Sequence, residues 1–476
     1  MSQAYAVPGV YVEESNAIAL SIQSGETAVP VFVGHFTSLD SKNNQECVPI
    51  ESWLEFTQRF RVMDQIKVNI DNSPSESKLT PQCGAFSVRL YFENGGGPCY
   101  VLNLPDRNPE SLAAMCEAIE QCPDITLLVW CEHVDDEKVY TALGTLLGAS
   151  ATSGGNRGRF MLVDAQADVV VPTTFKVPTV TEPTQVAAYF PALLTSYRRE
   201  WSDADVLVGK LGEKEIKKLV DLKLLKTTNE EPTLAAVAAA IAALTASKPD
   251  AEICKSLKTT YDYCQAVADA IDYCSEPVIL RASVAMAGVY ARVDRDRGVW
   301  KAPANVGLVG VTDLISVPQN GAPTPIRIDD TLNGTLFNSK INAIRTFRGR
   351  GPVVWGARTM ADQSQTDWRY VPVRRLFNTV ERDARSTLRT VVFEPNSAPT
   401  WEAVRSALDH YLNALWRRGA LQGDTPAQAY FVHVGLGVTM TQPDIDNGRL
   451  IVKVGLAAVR PAEFIVLQLT QDVTPM

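Results

Sequence analysis

Between Val31 and Asp164, short apolar runs alternate with segments of helical spacing, and this alternation constrains the fold more than any other feature. Val31-Phe32-Val33-Gly34 reads as a buried strand ended by glycine. Glu51–Phe60 spaces Trp53, Leu54, Phe56 and Phe60 as on a short amphipathic helix. Gly84–Phe92 predicts a helix, Gly95-Gly96-Gly97 its stop, and Cys99–Leu102 a strand. Ser111–Cys122 and Lys138–Leu147 predict helices, with strands at Asp124–Trp130 and Arg159–Asp164. Strand–helix alternation of this kind implies an α/β layer whose sheet is at least partly parallel. Gln65–Lys78 is polar and reads as a loop, and Val169–Pro191, with four prolines, as a loop-rich connection.

Several residue groups invite a chemical reading. A phosphate loop needs Lys-Ser/Thr after its glycines and a strand before them. Here the strand follows the glycine run and Pro98 removes a donor, which disfavours nucleotide binding. Asp164 ends a strand where doubly wound enzymes keep catalytic carboxylates, but no histidine or second carboxylate lies at an informative spacing. Capping or tethering the following loop is the preferred role. Asp294-Arg295-Asp296-Arg297 alternates in charge and predicts a salt-bridged turn rather than a metal or acid–base pair. His410 and His433 have no partner motif and read as structural. Nine cysteines include no CxxC pair. Cys254, Cys264 and Cys274 step by ten residues and would not converge on a helix. No metal, cofactor or catalytic residue is assigned. An α/β enzyme using the strands at Asp124–Trp130 and Arg159–Asp164 is an alternative.

With 476 residues, 21% charged and 46% hydrophobic, the chain fits two or three ordinary globular domains. A net charge of −9 argues against nucleic acid as a main partner. Leu234–Ala246, the longest apolar run, is too short to span a bilayer, so no membrane insertion is expected. The odd cysteine count, and a Met1-Ser2-Gln3 start unlike a signal peptide, predict reduced thiols and synthesis in the cytoplasm.

The C-terminal half carries the most specific pattern. Ile341–Met360 (INAIRTFRGRGPVVWGARTM) begins as an arginine-bearing extended segment and passes through Gly349-Arg350-Gly351-Pro352 into the apolar run Val353–Ala357. The glycines permit positive φ there, and Pro352 fixes the entry to a buried strand. Trp368–Glu381 (WRYVPVRRLFNTVE) continues it. Val392–Gly419 predicts a helix with Ser397 and Thr400 as capping oxygens, Pro399 in its first turn and Gly419 past its end. Its buried face is Trp401, Val404, Leu408, Tyr411, Leu412 and Leu415. Ala427–Val434 predicts a strand. Gly448–Val459 and Phe464–Thr470, parted by Arg460-Pro461, predict either a hairpin or a strand followed by a free arm.

These stretches, with PGVYVEE at Pro8–Glu14, YFENGGGPCYVL at Tyr91–Leu102 and Glu276–Asn305, resemble contractile tail sheath proteins. That family covers phage tails, contractile bacteriocins and phage-tail-like extracellular injection particles, the last being slightly preferred. The resemblance spans Val7–Leu102, Pro123–Asp164 more weakly and Glu276–Gln471 strongly, and omits Tyr197–Tyr273.

The resemblance implies a discontinuous α/β core domain, extended terminal strand arms and an inserted α/β domain carrying a helical insertion. The expected divisions are an arm at 1–30, the first sheath part at 31–105 and the inserted domain at 106–285, with its insertion at 197–273. The C-terminal core then covers 286–460 and the second arm 461–476. Ala282–Asp294 is expected as a closely packed helix returning the chain to the core. The implied role is a structural sheath subunit that stacks in rings around an inner tube and contracts. A baseplate or cap component of sheath-like fold is an alternative. Implied partners are further copies of the chain, the inner tube protein, baseplate and terminator proteins, and any paralogous sheath subunits. Val10, Tyr11 and Val12, and Phe464, Ile465, Val466 and Leu467, are the arm residues expected to pair with neighbouring copies. The implied location is a phage tail or released particle assembled after cytoplasmic synthesis.

Ile341–Arg389 holds ten arginines against four acids, a net of +6 within the acidic chain. On a helix from Arg374 to Val391, Leu376, Val380, Ala384, Leu388 and Val391 share a stripe about 120° wide. Arg374, Arg375, Arg382, Arg385 and Arg389 fall within about 100° on the far side. Sheath resemblance sets such a helix against the inner tube, so these five are the expected tube-facing residues.

Overall fold

The computed structural model describes residues 20–39, 45–63, 66–69, 82–133, 136–148, 158–167, 174–198, 206–210, 277–318, 322–362 and 364–463, with a few positions between 233 and 243. The chain forms two compact units, Glu26–Arg374 and a discontinuous one of Met1–Gly25 with Arg375–Met476. Those cuts differ from the divisions expected near 30, 105, 285 and 460. Residues 286–374 build into the larger unit because their strands complete its sheet.

The strands of the larger unit begin with β1 (Pro30–Gly34), β2 (Val48–Ile50), β3 (Ile66–Asn69), β4 (Cys99–Asn103), β5 (Leu127–Trp130) and β6 (Phe160–Asp164). Next come β7 (Gln166–Ala167), β8 (Phe175–Lys176), β9 (Val186–Phe190), β10 (Ala192–Arg198) and β11 (Val206–Lys210). The last are β12 (Pro277–Leu280), β13 (Val311–Ser316), β14 (Thr324–Pro325), β15 (Ile341–Phe347) and β16 (Gly351–Trp355). Its helices are α1 (Trp53–Arg59), α2 (Gly84–Glu93), α3 (Pro109–Gln121), α4 (Asp136–Gly144), α5 (Ala282–Arg297) and α6 (Asp330–Asn338).

Eight strands make one sheet in the order β16-β15-β9-β6-β5-β1-β4-β2, parallel from β15 to β4 and antiparallel at both edges. Its central strands are continuous apolar runs because helices cover both faces. One row, Phe32, Val129, Leu162 and Ala187 in register, packs with side chains of α2 and α5. The next row, Val31, Leu128, Met161 and Val186, packs with those of α3 and α4. Buried Gly288 in α5 lets that helix lie against α2; a Cβ there would stand 2.5 Å from the Tyr91 carbonyl. The β15–β16 hairpin has the expected glycine-bounded turn, with Gly349 and Gly351 at φ +77° and +68°. Trp355, expected inside that buried strand, is exposed. A smaller antiparallel sheet runs β12-β10-β13-β14.

Further expectations change. Ile66–Asn69, read as loop, is β3 and pairs in parallel with β11. Val186–Phe190, inside the expected proline-rich connection, is the buried strand β9 between β6 and β15. Tyr197 belongs to β10 rather than to an insertion: it is buried, stacks on Phe86 and donates to Glu93 at 2.7 Å. Asp294–Arg297 is the last turn of α5 rather than a separate turn; it keeps the expected salt bridge, Arg295 to Asp296 at 3.4 Å, and Asp294 accepts from the Thr27 hydroxyl at 2.6 Å.

The smaller unit receives the chain through α7 (Val371–Leu388), which starts and stops three residues before the expected helix. It continues into α8 (Ala398–Arg417), β17 (Tyr430–Val434) and β18 (Val452–Leu456). Val391, Val404 and Leu408 form its core with Leu20, Ile22, Ala384, Leu388, Val432, Leu450 and Val452. Ala384, Leu388 and Val391 of the expected stripe lie in this core beside Leu20 and Ile22, and Leu376 and Val380 are buried outside it. Gly419 ends α8 at φ +80°, while the Thr400 hydroxyl donates to the Pro395 carbonyl instead of capping the helix. Gly448–Val459 supplies β18, which pairs with β17, while Phe464–Thr470 lies outside the described residues.

Candidate assembly interfaces

The strand ends of the larger unit are where an α/β enzyme would bind its ligand. Here they hold carboxylates that cap helices. Neither α2 nor α5 has a side-chain cap of its own. Glu132, just past β5, accepts backbone N–H groups of Cys83 at 2.9 Å, Gly84 at 3.0 Å and His35 at 3.3 Å. Two of those donors open α2, so the carboxylate takes the place a bound anion would occupy at a helix N-terminus.

Asp164 serves α5 in the same way, accepting from Ser283 N at 3.0 Å and Ser283 Oγ at 2.5 Å. It therefore tethers a helix 119 residues away, not the following loop. Arg281 is buried beside it, donating to Asp136 Oδ1, to Glu132 O at 2.6 Å and to Tyr140 at 3.4 Å. Burial pushes both carboxyls above their ordinary range, against the donors that hold them back: Arg281 and Ser283 for Asp164, the three backbone N–H groups for Glu132. A cavity of 530 Å³ opens beside this network, lined also by His133, Gln166 and Lys176. The carboxylates facing it already serve the fold.

The five arginines expected on one solvent face of α7 separate. The Arg374 guanidinium lies 4.3 Å from the centre of the Trp368 ring. Arg375 is buried, at 3% exposure, and leaves the proposed face altogether. Arg382 is 18% exposed and sits 3.5 Å from Asp383. Arg385 pairs with Glu381 at 2.7 Å, one helical turn before it. Arg389 is exposed on a short 3-10 turn beyond the helix. A 100° wedge on a helical projection counts angle alone, and tertiary packing closes over its Arg375 side.

Asp383 explains why the polar side of α7 is not all solvent. It accepts from Tyr411 Oη at 2.9 Å and from Gly25 N at 3.4 Å. Burial raises its carboxyl above the usual range, opposed by Tyr411 and Arg382. The acid thereby ties α7, α8 and the segment at Gly25 together within the smaller unit.

The β17–β18 sheet has two strands, in register from Tyr430↔Leu456 to Val434↔Val452. Val432 and Val452 pack inward. Neither strand has a second strand partner among the described residues, so each presents one edge. Val10–Val12 and Phe464–Leu467, the expected arm residues, lie outside the described residues.

A family model described as the phage tail sheath C-terminal domain matches residues 363–472, the region holding α7, α8 and the β17–β18 sheet. The chain is 35% identical to a chain of the anti-feeding prophage helical sheath in its contracted state, covering 98% of this chain and 100% of that one, with a TM-score of 0.66. A chain of the six-fold anti-feeding prophage baseplate matches equally, at 35% identity, 99% and 100% coverage and TM-score 0.66. The contracted sheath complex of the PVC extracellular contractile injection system follows at 33% identity, 99% coverage of both chains and TM-score 0.60. Among curated relatives, the tail sheath protein of Burkholderia phage BcepMu is 30% identical over 151 residues, which is 31% of this chain and 30% of that protein. With full-length likeness to these sheaths added to the open two-stranded sheet and the sheath-type C-terminal region, the chain belongs to the contractile tail sheath protein family.

Proposed function

We propose that this chain is the sheath subunit of a phage-tail-like contractile injection particle. Copies stack helically around an inner tube in an extended lattice. On a signal from the baseplate they rearrange into a shorter, wider lattice and drive the tube into its target. Strain stored at assembly supplies the work, so the role is structural and calls for no catalysis or cofactor.

The observation that carries this reading is the β17–β18 sheet. A two-stranded sheet is marginal alone, and each strand here has an edge to offer. An extended arm from another copy completes it by main-chain hydrogen bonds. Val10–Val12 and Phe464–Leu467 have the β-prone character such arms need. Interchain strands also tether neighbours while the compact units repack. Arg385 and Arg389, with partly exposed Arg382, form the basic surface offered to the tube; Arg375 is withdrawn from that role. Exposed charge pairs worth roughly 0.2–1 kcal/mol each give an attachment that breaks on contraction.

Deleting Met1–Ser15 tests the reading. The truncated chain should remain soluble and melt as the parent does, yet form no long sheaths in negative-stain images. Normal polymers from the truncated chain would show that the arm does not hold the lattice.

A further inference from the structure

The turn joining α7 to α8 holds the one non-glycine residue of positive φ among the described residues of the smaller unit. Phe393 adopts φ +76° and its side chain is fully exposed, at 103%. Left-handed backbone is unfavourable for an aromatic residue, and the ring here gains nothing from burial. Val392 beside it is 58% exposed. A second apolar pair, Leu436 at 49% and Val438 at 61%, stands on the turn after β17.

Both turns lie at one end of the smaller unit. Asn396 Nδ2 donates to Arg449 O at 3.0 Å, and Asn396 Oδ1 accepts from Trp401 Nε1 at 2.7 Å. A Cβ at Gly435 would be 3.9 Å from the same Trp401 ring. The rim has exposed residues of both signs, Arg449 with Glu394 and Asp446.

We propose that Val392, Phe393, Leu436 and Val438 are the apolar centre of a contact with a second copy of this chain. The proposal rests on the sheath reading and adds an interface separate from the arms. Two copies each carrying −9 repel, so net charge cannot join them. Their contact has to come from apolar burial and strand pairing, and a mixed-sign rim suits a surface of the same composition. A partner recognised by charge would instead face a rim of one sign. Strain at Phe393 is then tolerated because it projects the ring into the neighbour.

The test uses full-length chain carrying Phe393→Asn, Phe393→Gly or Val438→Ser. Asparagine and glycine tolerate left-handed backbone, so isolated Phe393 variants should melt at or above the parent temperature. The concentration needed to form sedimentable sheath should rise about thirtyfold, the size of an interface anchor's loss. That rise should persist from low to high salt, because the lost contact is apolar. Variants that polymerise at the parent's concentration overturn the proposal, as does a defect abolished by changing salt. Normal polymers that no longer retain the tube would assign the patch to the tube and overturn it too. A parent chain that forms no polymer under any condition overturns the sheath reading itself, a result distinct from these.

Discussion

The two units of this subunit treat their surfaces in opposite ways. The larger surrounds a mainly parallel eight-stranded sheet with helices and fills its strand ends with paired carboxylates. The smaller holds a two-stranded sheet and six of the ten exposed large apolar side chains among the described residues: Val392, Phe393, Phe431, Leu436, Val438 and Val454. One unit covers its sheet with its own helices; the other leaves a two-stranded sheet and most of the exposed apolar groups for partners. A polymerising subunit gains from this division, because the framework folds before assembly while the unsatisfied part waits for it.

The contrast makes different lesions fail in different ways. Replacing Arg281 with Met should have the largest effect on folding, since it leaves Asp164 and Asp136 without their buried cation. Removing one partner of such a pair costs about 3–5 kcal/mol. The urea midpoint of the larger unit should drop accordingly; an unchanged midpoint would mean the framework does not depend on this network. Tyr411→Phe comes next. It strips buried Asp383 of its 2.9 Å donor and should cost about 1–3 kcal/mol. Hydrogen exchange should locate that loss in α7 and α8, and equal loss across β5 and β6 would contradict separate units.

The smallest effect on stability belongs to Arg385→Ala. Its partly exposed pair with Glu381 is worth at most about 1 kcal/mol, so melting should hardly change. Tube retention should nevertheless fall, most at low salt, and the difference from the parent should shrink as salt screens the contact. Retention equal to the parent's at every salt concentration would point the basic surface away from the tube.

The framework was legible in the sequence where burial writes a continuous apolar run. PVFVG, LLVW and FMLVD announce β1, β5 and β6 because both faces of each strand are covered. VAAYF at β9 is equally buried, but two alanines and the surrounding prolines give it the look of a connection. Ile66–Asn69 is short and partly polar, and its strand character comes from pairing with distant β11. The caps were hidden for a related reason: Glu132 and Asp164 serve helices that no local motif links to them. On α7 the apolar stripe followed from spacing, whereas the fate of each arginine depended on packing from other elements. Nothing in Val392-Phe393-Glu394 signals a left-handed aromatic, since that conformation is set by the turn between two helices.

The close approach of α5 to α2 at Gly288 also has a mechanical meaning. Side chains that change rotamer act as compliant spacers between helices, but here a glycine meets the Tyr91 backbone with no such spacer. Such a joint resists shear, because sliding would drive backbone into backbone. When the lattice shortens, the α/β framework should therefore act as a stiff lever, and deformation should concentrate in contacts between copies.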